Sequence, residues 1–212
     1  MNALALPRFP GGIDEEFLPF PAPTVTLGVA SAVRSTLVTS SIRSLRARGL
    51  GERYDRLLYG PHRETVLTTI AGVWLPVAAA MAHYEACDRL DLDPATEMSL
   101  GMAVGERVNG TLMGMLVRMA SNVGVTPWSA LAQSAKLYGR LFCGGGIAVT
   151  KHGPKDASVQ IVGNPLCDID YFRAGIGGVY QAGLRLFCRR VHTALCTGRR
   201  PPRSLVLLVS WV

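Results

Sequence analysis

The spacing of apolar residues changes near residue 145, and this change constrains the fold more than any other feature of the chain. Before it, apolar residues recur every three or four positions, as Val38, Ile42 and Leu45 do, which is typical of helices. After it, apolar residues alternate with other residues, as over 205–211, which is typical of strands that face a core on one side. The order along the chain therefore predicts an α+β fold, with a helical layer packed on a four-stranded antiparallel sheet.

The four expected strands form two hairpins. Turn residues fill Gly153–Asp156 and Thr197–Pro202, and each run separates two segments of strand-like pattern. The strands are expected near residues 146–152, 157–163, 189–196 and 204–212. A helix over 171–188 is expected to join the hairpins, because its apolar residues follow helical spacing.

Proline and glycine predict where the earlier elements begin and end. A short strand is expected at 25–29, with Ser31 as the cap of a helix that ends at Gly49. Asp93 and Thr126 each precede a proline, which is the pattern of an N-cap followed by proline at the first helical position. The expected helices after the first one cover 52–59, 62–72, 76–90, 94–120 and 127–144.

The chain has 212 residues, enough for one domain with its own core. Residues 1–23 hold five prolines and are expected to form an extended arm, and residues 24–212 to form the single domain. The longest apolar run, 71–82, is too short to span a membrane and contains Pro76. The N-terminus shows no apolar signal region, so we expect a cytoplasmic location.

Composition limits the partners and the redox chemistry. The net charge is +7, but no aromatic-interleaved basic stripe or DNA-reading motif accompanies the arginines, so we expect no nucleic-acid partner. The five cysteines lack CxxC spacing and are odd in number, which argues against a disulfide framework. Because 49% of residues are apolar and only 17% charged, we expect a homodimer that buries part of the helical layer.

Four packing and turn features carry a family resemblance. They are the strand-to-helix entry Thr26–Ala30, the turn Gly153–Asp156, the helix entry Cys167-x3-Tyr171-Phe172-x2-Gly175, and the final Val209-Ser210-Trp211. Over about residues 24–212 they resemble the superfamily of vinyl-reductase-type and TRAPP-like domains, and within it a myxobacterial paralogous family of unknown function. The superfamily is distantly similar to haem nitric-oxide-binding (H-NOX-like) domains, whose Tyr-x-Ser-x-Arg motif is absent here. The resemblance implies the TRAPP/H-NOX-like fold and carries over no catalytic residue.

His83 and Cys87 lie four residues apart on the predicted helix 76–90, so both side chains can point the same way. One His and one Cys make half a zinc site, and His83 alone can serve as an axial haem ligand. The alternative is a hydrogen-bonded helix histidine beside a small buried thiol. No second pair of ligands has metal-binding spacing.

The predicted helix 94–120 contains four glycines and five methionines. Each glycine inside a helix lowers the stability of the helix by ~1 kcal/mol relative to alanine. Four glycines in one helix therefore indicate a compensating role, for which there are two possible reasons. One reason is close contact with another helix. The other is a groove for an apolar ligand, floored by glycine and walled by methionine side chains. The candidate lining residues from this helix are Met102, Gly105, Gly110 and Met113.

Tyr171 and Arg173 open the predicted last helix, just after Asp168 and Asp170. The two carboxylates suit the positive end of the helix dipole, which is a structural role. Alternatively, Arg173 lies at the mouth of a pocket and binds a ligand carboxylate. The four histidines are scattered over different elements, so no nucleophile set can be recognised in the linear sequence.

We therefore expect a non-catalytic module of TRAPP-like fold that binds a small apolar molecule or a protein partner and needs no cofactor. The alternative is a haem-binding sensor or haem-dependent enzyme with His83 as the axial ligand. The candidate ligand-binding residues are His83, Cys87, Met102, Gly105, Gly110, Met113, Tyr171 and Arg173.

Overall fold

We describe residues 16–17, 28–120, 126–196 and 201–212 of a computed structural model of the chain, with the backbone alone for 16–17 and 109–120. The helices are α1 Ser35–Ala47, α2 Gly51–Leu57, α3 Arg63–Thr68, α4 Val77–Asp88, α5 Pro94–Ala120, α6 Pro127–Leu131, α7 Ser134–Leu141 and α8 Asp170–Leu184. The strands are β1 Glu16–Phe17, β2 Ala32–Arg34, β3 Trp74–Pro76, β4 Phe142–Cys143, β5 Gly146–Gly153, β6 Asp156–Val162, β7 Val191–Leu195 and β8 Leu205–Trp211. A single 3-10 turn, Pro165–Asp168, precedes α8.

The larger sheet has the order β1-β5-β6-β8-β7, and every neighbouring pair is antiparallel. The four predicted strands and both hairpins are confirmed. Val149, Val159 and Leu207 stand opposite one another across three strands and are almost fully buried. This alternation places one face of the sheet against the helices. The fifth strand, β1, belongs to the segment expected to be an extended arm and pairs with β5 at the edge.

A second, smaller sheet was not expected from the sequence. It has the order β3-β2-β4, and none of its strands exceeds three residues. The strand predicted at 25–29 is wrong where it can be compared, because residues 28–30 form no strand and pairing begins at Ala32. Ser31 does not cap α1. Its N–H donates to the Cys143 carbonyl at 2.8 Å and its own carbonyl accepts from Val77, so the chain is still pairing there.

Helices α5 and α8 form the centre of the helical layer. The predicted start of α5 is confirmed, since the Asp93 carboxylate accepts a hydrogen bond of 3.0 Å from the Thr96 N–H. A Cβ on Gly101 would lie 2.1 Å from the Gly175 carbonyl oxygen, and one on Gly178 would lie 2.1 Å from the Met98 carbonyl oxygen. The two helices therefore touch backbone to backbone, and residues without side chains make that approach possible.

Three predicted helices are shorter than expected. The helix predicted for 127–144 is split into α6 and α7, because the Gln133 N–H donates to Ala130, three residues back, and interrupts the α-helical pattern. Helix α3 ends at Thr68 rather than at 72. Helix α8 ends at Leu184 rather than at 188, since Arg189 and Arg190 donate to the carbonyl of Val212 as the chain turns into β7.

None of the helices in the described part of the chain combines the length and the hydropathy needed to cross a lipid bilayer.

Candidate functional site

A buried polar cluster lies where α2 and α4 meet. The Tyr54 hydroxyl oxygen lies 2.7 Å from Nδ1 of His83, and both side chains are fully buried. The Cys87 thiol lies one helical turn further along α4, with Sγ 3.7 Å from Nε2 of His83. The ring of Tyr84 packs edge-on against His83, with 4.8 Å between the ring centroids. The structure thus brings His83 and Cys87 together and adds Tyr54, which no spacing in the sequence could link to them.

Ser41 and Tyr171 extend this polar cluster towards α1 and α8. Their hydroxyl oxygens lie 3.5 Å apart, and, against the larger opposing effect of burial, both hydroxyls act to lower the pKa of the Cys87 thiol. A cavity of about 30 Å³ lies beside them. That volume suits one or two waters rather than an organic ligand. Three candidate residues, His83, Cys87 and Tyr171, therefore share one polar interior.

Burial keeps the groups of the polar cluster uncharged at neutral pH. It lowers the pKa of His83 to about 3, because no counter-charge offsets the loss of hydration of an imidazolium. It also raises the pKa of the Cys87 thiol and that of the Tyr54 phenol. The protonated Tyr54 hydroxyl can therefore donate to Nδ1 of His83. Because the thiol stays protonated, Cys87 is a poor nucleophile and a poor metal ligand.

The two α5 glycines in the described part of the chain, Gly101 and Gly105, lie in close contact with α8. A Cβ on Gly105 would lie 2.9 Å from both the Val179 Cα and the Ala182 Cβ. Of the two reasons considered for these glycines, close helix contact accounts for Gly101 and Gly105. Met102 on the same helix is half-buried. The candidates Gly110 and Met113 fall in the part of α5 whose side chains lie outside the described residues.

Arg173 binds a carboxylate of its own helix. Its Nη1 donates to Oδ1 of Asp170 at 2.5 Å, three residues earlier on α8. The backbone N–H of Tyr171 donates to Oδ1 of Asp88 at 2.9 Å. Asp88 therefore provides an acceptor for one of the N–H groups that have no partner within the first turn of α8. Of the two acidic residues considered from the sequence, Asp170 lies in the first turn of α8, whereas Asp168 accepts a hydrogen bond from the Arg203 N–H.

An apolar cavity of about 90 Å³, which no sequence pattern indicated, lies between α7, α8 and the inner face of β5 and β6. Its lining residues are Val108, Ala130, Leu131, Ser134, Leu137, Tyr138, Leu141, Phe142, Ile147, Ile161, Ile176, Val179, Tyr180, Gly183 and Leu184. Among the candidate residues whose side chains are described, namely His83, Cys87, Met102, Gly105, Tyr171 and Arg173, none belongs to this set. A signal was present in α7, where Leu137, Tyr138 and Leu141 repeat at helical spacing, but such a stripe predicts burial and not an empty space.

The polar groups at this apolar cavity are hydroxyls. Burial raises the pKa of Tyr180 to about 12, and the Ser134 hydroxyl acts in the opposite direction. The Tyr138 hydroxyl accepts a hydrogen bond of 3.3 Å from the Asn164 amide, and burial raises its pKa as well. No Asp, Glu, Lys, Arg or His is among the described residues that line the space. The cavity therefore disfavours an ionised ligand, whose hydration nothing there would replace.

Comparison with known proteins finds a similar fold and no sequence family. No protein-family profile matches the chain, and no curated protein matches its sequence. The chain is similar to the structure of an H-NOX protein from K. algicida, with TM-score 0.58 and 9% identity over 84% of this chain and 96% of that one. It is also similar to an oxygen-binding H-NOX domain related to soluble guanylate cyclases, with TM-score 0.55 and 8% identity over 84% and 94%. A third similar structure, from work on haem redox potential and porphyrin distortion, has TM-score 0.55 and 9% identity over 84% and 99%.

At these identities the likeness shows the fold alone, which is the α+β fold of the H-NOX type. The fold class expected from the sequence is confirmed. The narrower resemblance to vinyl-reductase-type domains and to the myxobacterial family has no family match and stays a prediction.

The surroundings of His83 do not fit a haem. One ring nitrogen faces the Tyr54 hydroxyl, the other faces the Cys87 thiol, and the ring is packed against Tyr84. A porphyrin needs open space next to the ligating nitrogen, whereas His83 is fully buried in side chains. The apolar cavity offers no substitute, because no His, Cys or Met is among its described lining residues.

Proposed function

We propose that residues 24–212 form a non-catalytic module that binds a small, neutral, apolar molecule in the apolar cavity. The observation that carries this proposal is the lining, whose described residues are aliphatic and aromatic apart from three hydroxyl groups. Pockets with an apolar wall and a few polar groups are the usual form of small-molecule sites. The buried thiol and imidazole of the polar cluster are held neutral, which favours binding over nucleophilic chemistry.

The size of the apolar cavity sets the size of the ligand. Its volume of about 90 Å³ is smaller than the ~150 Å³ cavity that binds benzene in an engineered lysozyme. We therefore expect a ligand, or the inserted end of a ligand, of about four or five non-hydrogen atoms, fewer than the six of benzene. The Ser134–Tyr180 pair offers one hydrogen-bonding position for a hydroxyl or carbonyl.

Binding can be tested with probes that share a five-carbon ring and differ in the group that the ring carries. The ring of cyclopentanol and cyclopentane matches the expected size, and cyclopentanecarboxylate carries a charge on the same ring. We expect the neutral probes to shift amide resonances of α7 and β5 and to raise the thermal unfolding midpoint, and the carboxylate to do neither. Equal effects of all three probes, or shifts confined to other elements, would refute the proposal.

A matched pair of variants separates the apolar cavity from the rest of the surface. Ala130→Leu adds three carbons to the cavity wall, so we expect it to weaken binding of cyclopentanol at least tenfold. Ala132→Leu places the same side chain two residues away at an exposed position that does not line the cavity, so we expect no change in binding. If Ala130→Leu binds cyclopentanol with the affinity of wild type, the ligand does not occupy the apolar cavity.

Haem binding with His83 as the axial ligand is the second candidate function, and the fold it shares with H-NOX structures favours it. We expect purified protein mixed with haem to show no Soret shift that depends on His83, because that ring is already enclosed. An absorbance titration of wild type and His83→Ala decides the matter. A Soret band present in wild type and lost in the variant would favour the haem function.

A further inference from the structure

Exposed apolar side chains of the described residues concentrate on one side of the molecule. Five of the seven large ones surround α3, β3 and the outward face of α4. Those five are Val29, Tyr59, Ile70, Val73 and Trp74. Ile70 is 70% exposed and Tyr59 is 64% exposed, although both are large and apolar. A patch of this kind on a folded domain marks a surface that another molecule covers.

Three grooves join four of these side chains into one continuous surface, which we call the α4 surface, and the fifth, Ile70, directly follows Thr69, which lines the third groove. The first groove, of about 540 Å³, starts beside Val29, and the second, of about 300 Å³, lies beside Tyr59. Met81 and Glu85 line both of them. The third groove, of about 460 Å³, lies beside Trp74 and shares Pro61 with the second. The α4 surface therefore has both projecting side chains and depressions. A surface of this shape can pack closely against a complementary one.

The number of residues along the α4 surface matches that of a stable interface. In total, 25 different residues line the three grooves. A standard protein–protein interface uses about 20–30 residues on each side, whereas weak and incidental contacts use fewer. A single short peptide would cover only one of the three grooves.

The two ends of the α4 surface carry opposite charge. The groove beside Val29 is lined by three carboxylates and one arginine, namely Glu85, Asp88, Asp168 and Arg203. At the other end, the guanidinium of Arg34 stacks 3.9 Å over the Trp74 ring, and exposed Arg140 lies next to it, with its carbonyl accepting from Arg34 Nε. Glu64 is the acidic residue of that end. A twofold rotation about the middle of α4 therefore places the acidic end of one copy over the basic end of another.

We propose that the α4 surface is a homodimer interface, in which two copies of this chain pack face to face about a twofold axis. In such an isologous contact each copy supplies both the projecting side chains and the grooves that receive them. Ile70 and Tyr59 of each copy fill the grooves of the other, and the charged ends pair across the axis. This inference does not depend on the ligand proposed for the apolar cavity.

Mass measurement in solution tests the interface. We expect light scattering of the purified full chain to give twice its mass of 22.7 kDa. Ile70→Asp buries a carboxylate twice in a twofold interface, so we expect it to raise the dimer dissociation constant about 100-fold or more. Tyr59→Asp is a second variant at the same surface with the same expected result. Leu186→Asp is the matched control, because Leu186 is also an exposed apolar residue but lies at the far end of α8, and this variant should remain dimeric.

Each outcome decides the proposal. Folded Ile70→Asp and Tyr59→Asp monomers, beside a dimeric Leu186→Asp, support it, with circular dichroism as the check on folding. A wild-type mass of one chain at the highest attainable concentration overturns it and leaves the α4 surface to a different protein. A wild-type dimer that both α4-surface variants leave intact also overturns it, because the contact must then use another face.

Discussion

At the scale of single residues, burial decides which groups are charged. His83 and Cys87 lose their charged forms because the polar cluster offers hydrogen bonds and no counter-ion. The charged form of Glu97 is disfavoured in the same way, since it lies in the first turn of α5 with only 9% of its surface exposed. Burial and the nearby carboxylates of Asp88, Asp170 and Asp93 raise the pKa of Glu97 to about 7.

Glu97 should therefore make the protein less stable as the pH rises. Its pKa is raised in the folded chain above the ordinary value of 4.5, so the folded state binds its proton more tightly than the unfolded state. The stabilisation is complete below about pH 4.5 and is lost as the pH rises through about 7. Glu97→Gln cannot ionise, so we expect it to be more stable than wild type by about 1–2 kcal/mol at pH 8, after allowance for solvent screening.

Urea unfolding at pH 5 and pH 8 measures this effect, and Glu106→Gln is the matched control. Glu106 lies on the same helix but is exposed, so its amide variant should follow the pH dependence of wild type. If Glu97→Gln and wild type lose the same stability between the two pH values, the carboxyl of Glu97 is not the group responsible.

At the scale of elements, the contact between α5 and α8 is the most demanding feature of the helical layer. Gly101 on one helix meets Gly175 on the other, and Gly178 meets the backbone of Met98 and Met102. The loss of helix propensity at these glycines, ~1 kcal/mol each, is offset by dispersion contacts between two backbones that no larger residue would allow. The same close approach brings Tyr171 and Phe172 of α8 under α4, where they complete the interior of the helical layer.

Gly178→Ala should therefore separate the two helices. The added Cβ would lie 2.1 Å from the Met98 carbonyl oxygen and 2.6 Å from the Met102 nitrogen, and both are backbone atoms that cannot move alone. We expect a loss of about 3 kcal/mol or more in the free energy of unfolding, or no folded protein.

Gly139→Ala provides the control within a helix. Gly139 lies in α7, and a Cβ there would meet nothing within 4 Å, so we expect alanine to stabilise the chain by about 0.5–1 kcal/mol. Chemical denaturation of both variants gives the comparison. If Gly178→Ala leaves the free energy of unfolding unchanged, α5 and α8 must lie further apart than these distances indicate.

At the scale of the whole molecule, stability should be unevenly distributed. Strand β6 lies inside the larger sheet, paired with β5 on one side and β8 on the other. Helix α3 has six residues and buries only Val66. Local unfolding costs the least free energy where few apolar contacts are broken. We therefore expect α3 and the α4 surface beside it to unfold locally more often than the larger sheet.

Hydrogen exchange should report this difference directly. We expect the amides of Val159 and Ile161 in β6 to exchange at least ~100-fold more slowly than that of Leu67 in α3, because β6 opens only when the domain unfolds. Exchange followed by NMR at one pH provides the measurement. Exchange in α3 as slow as in β6 in a monomeric sample would contradict this distribution.

The sequence determined most elements through local patterns. The alternation over 205–211 fixes a strand whatever lies around it, and Asp93 before Pro94 fixes a helix start, because both signals act between neighbours in the chain. Such local patterns did not predict the short elements. The strand β2, with three residues, exists because Val33 lies between Leu75 and Phe142, which are far away in the sequence.

The candidate site was the part that only the tertiary structure could decide. The spacing of His83 and Cys87 correctly puts both side chains on one face of α4, but only the fold supplies Tyr54 as the partner of His83 and encloses the ring. An empty space has no sequence pattern, since the apolar cavity is what remains when side chains from α7, α8 and β5 fail to meet. Local patterns determine which residues are buried, and only the packing of distant elements determines whether they touch.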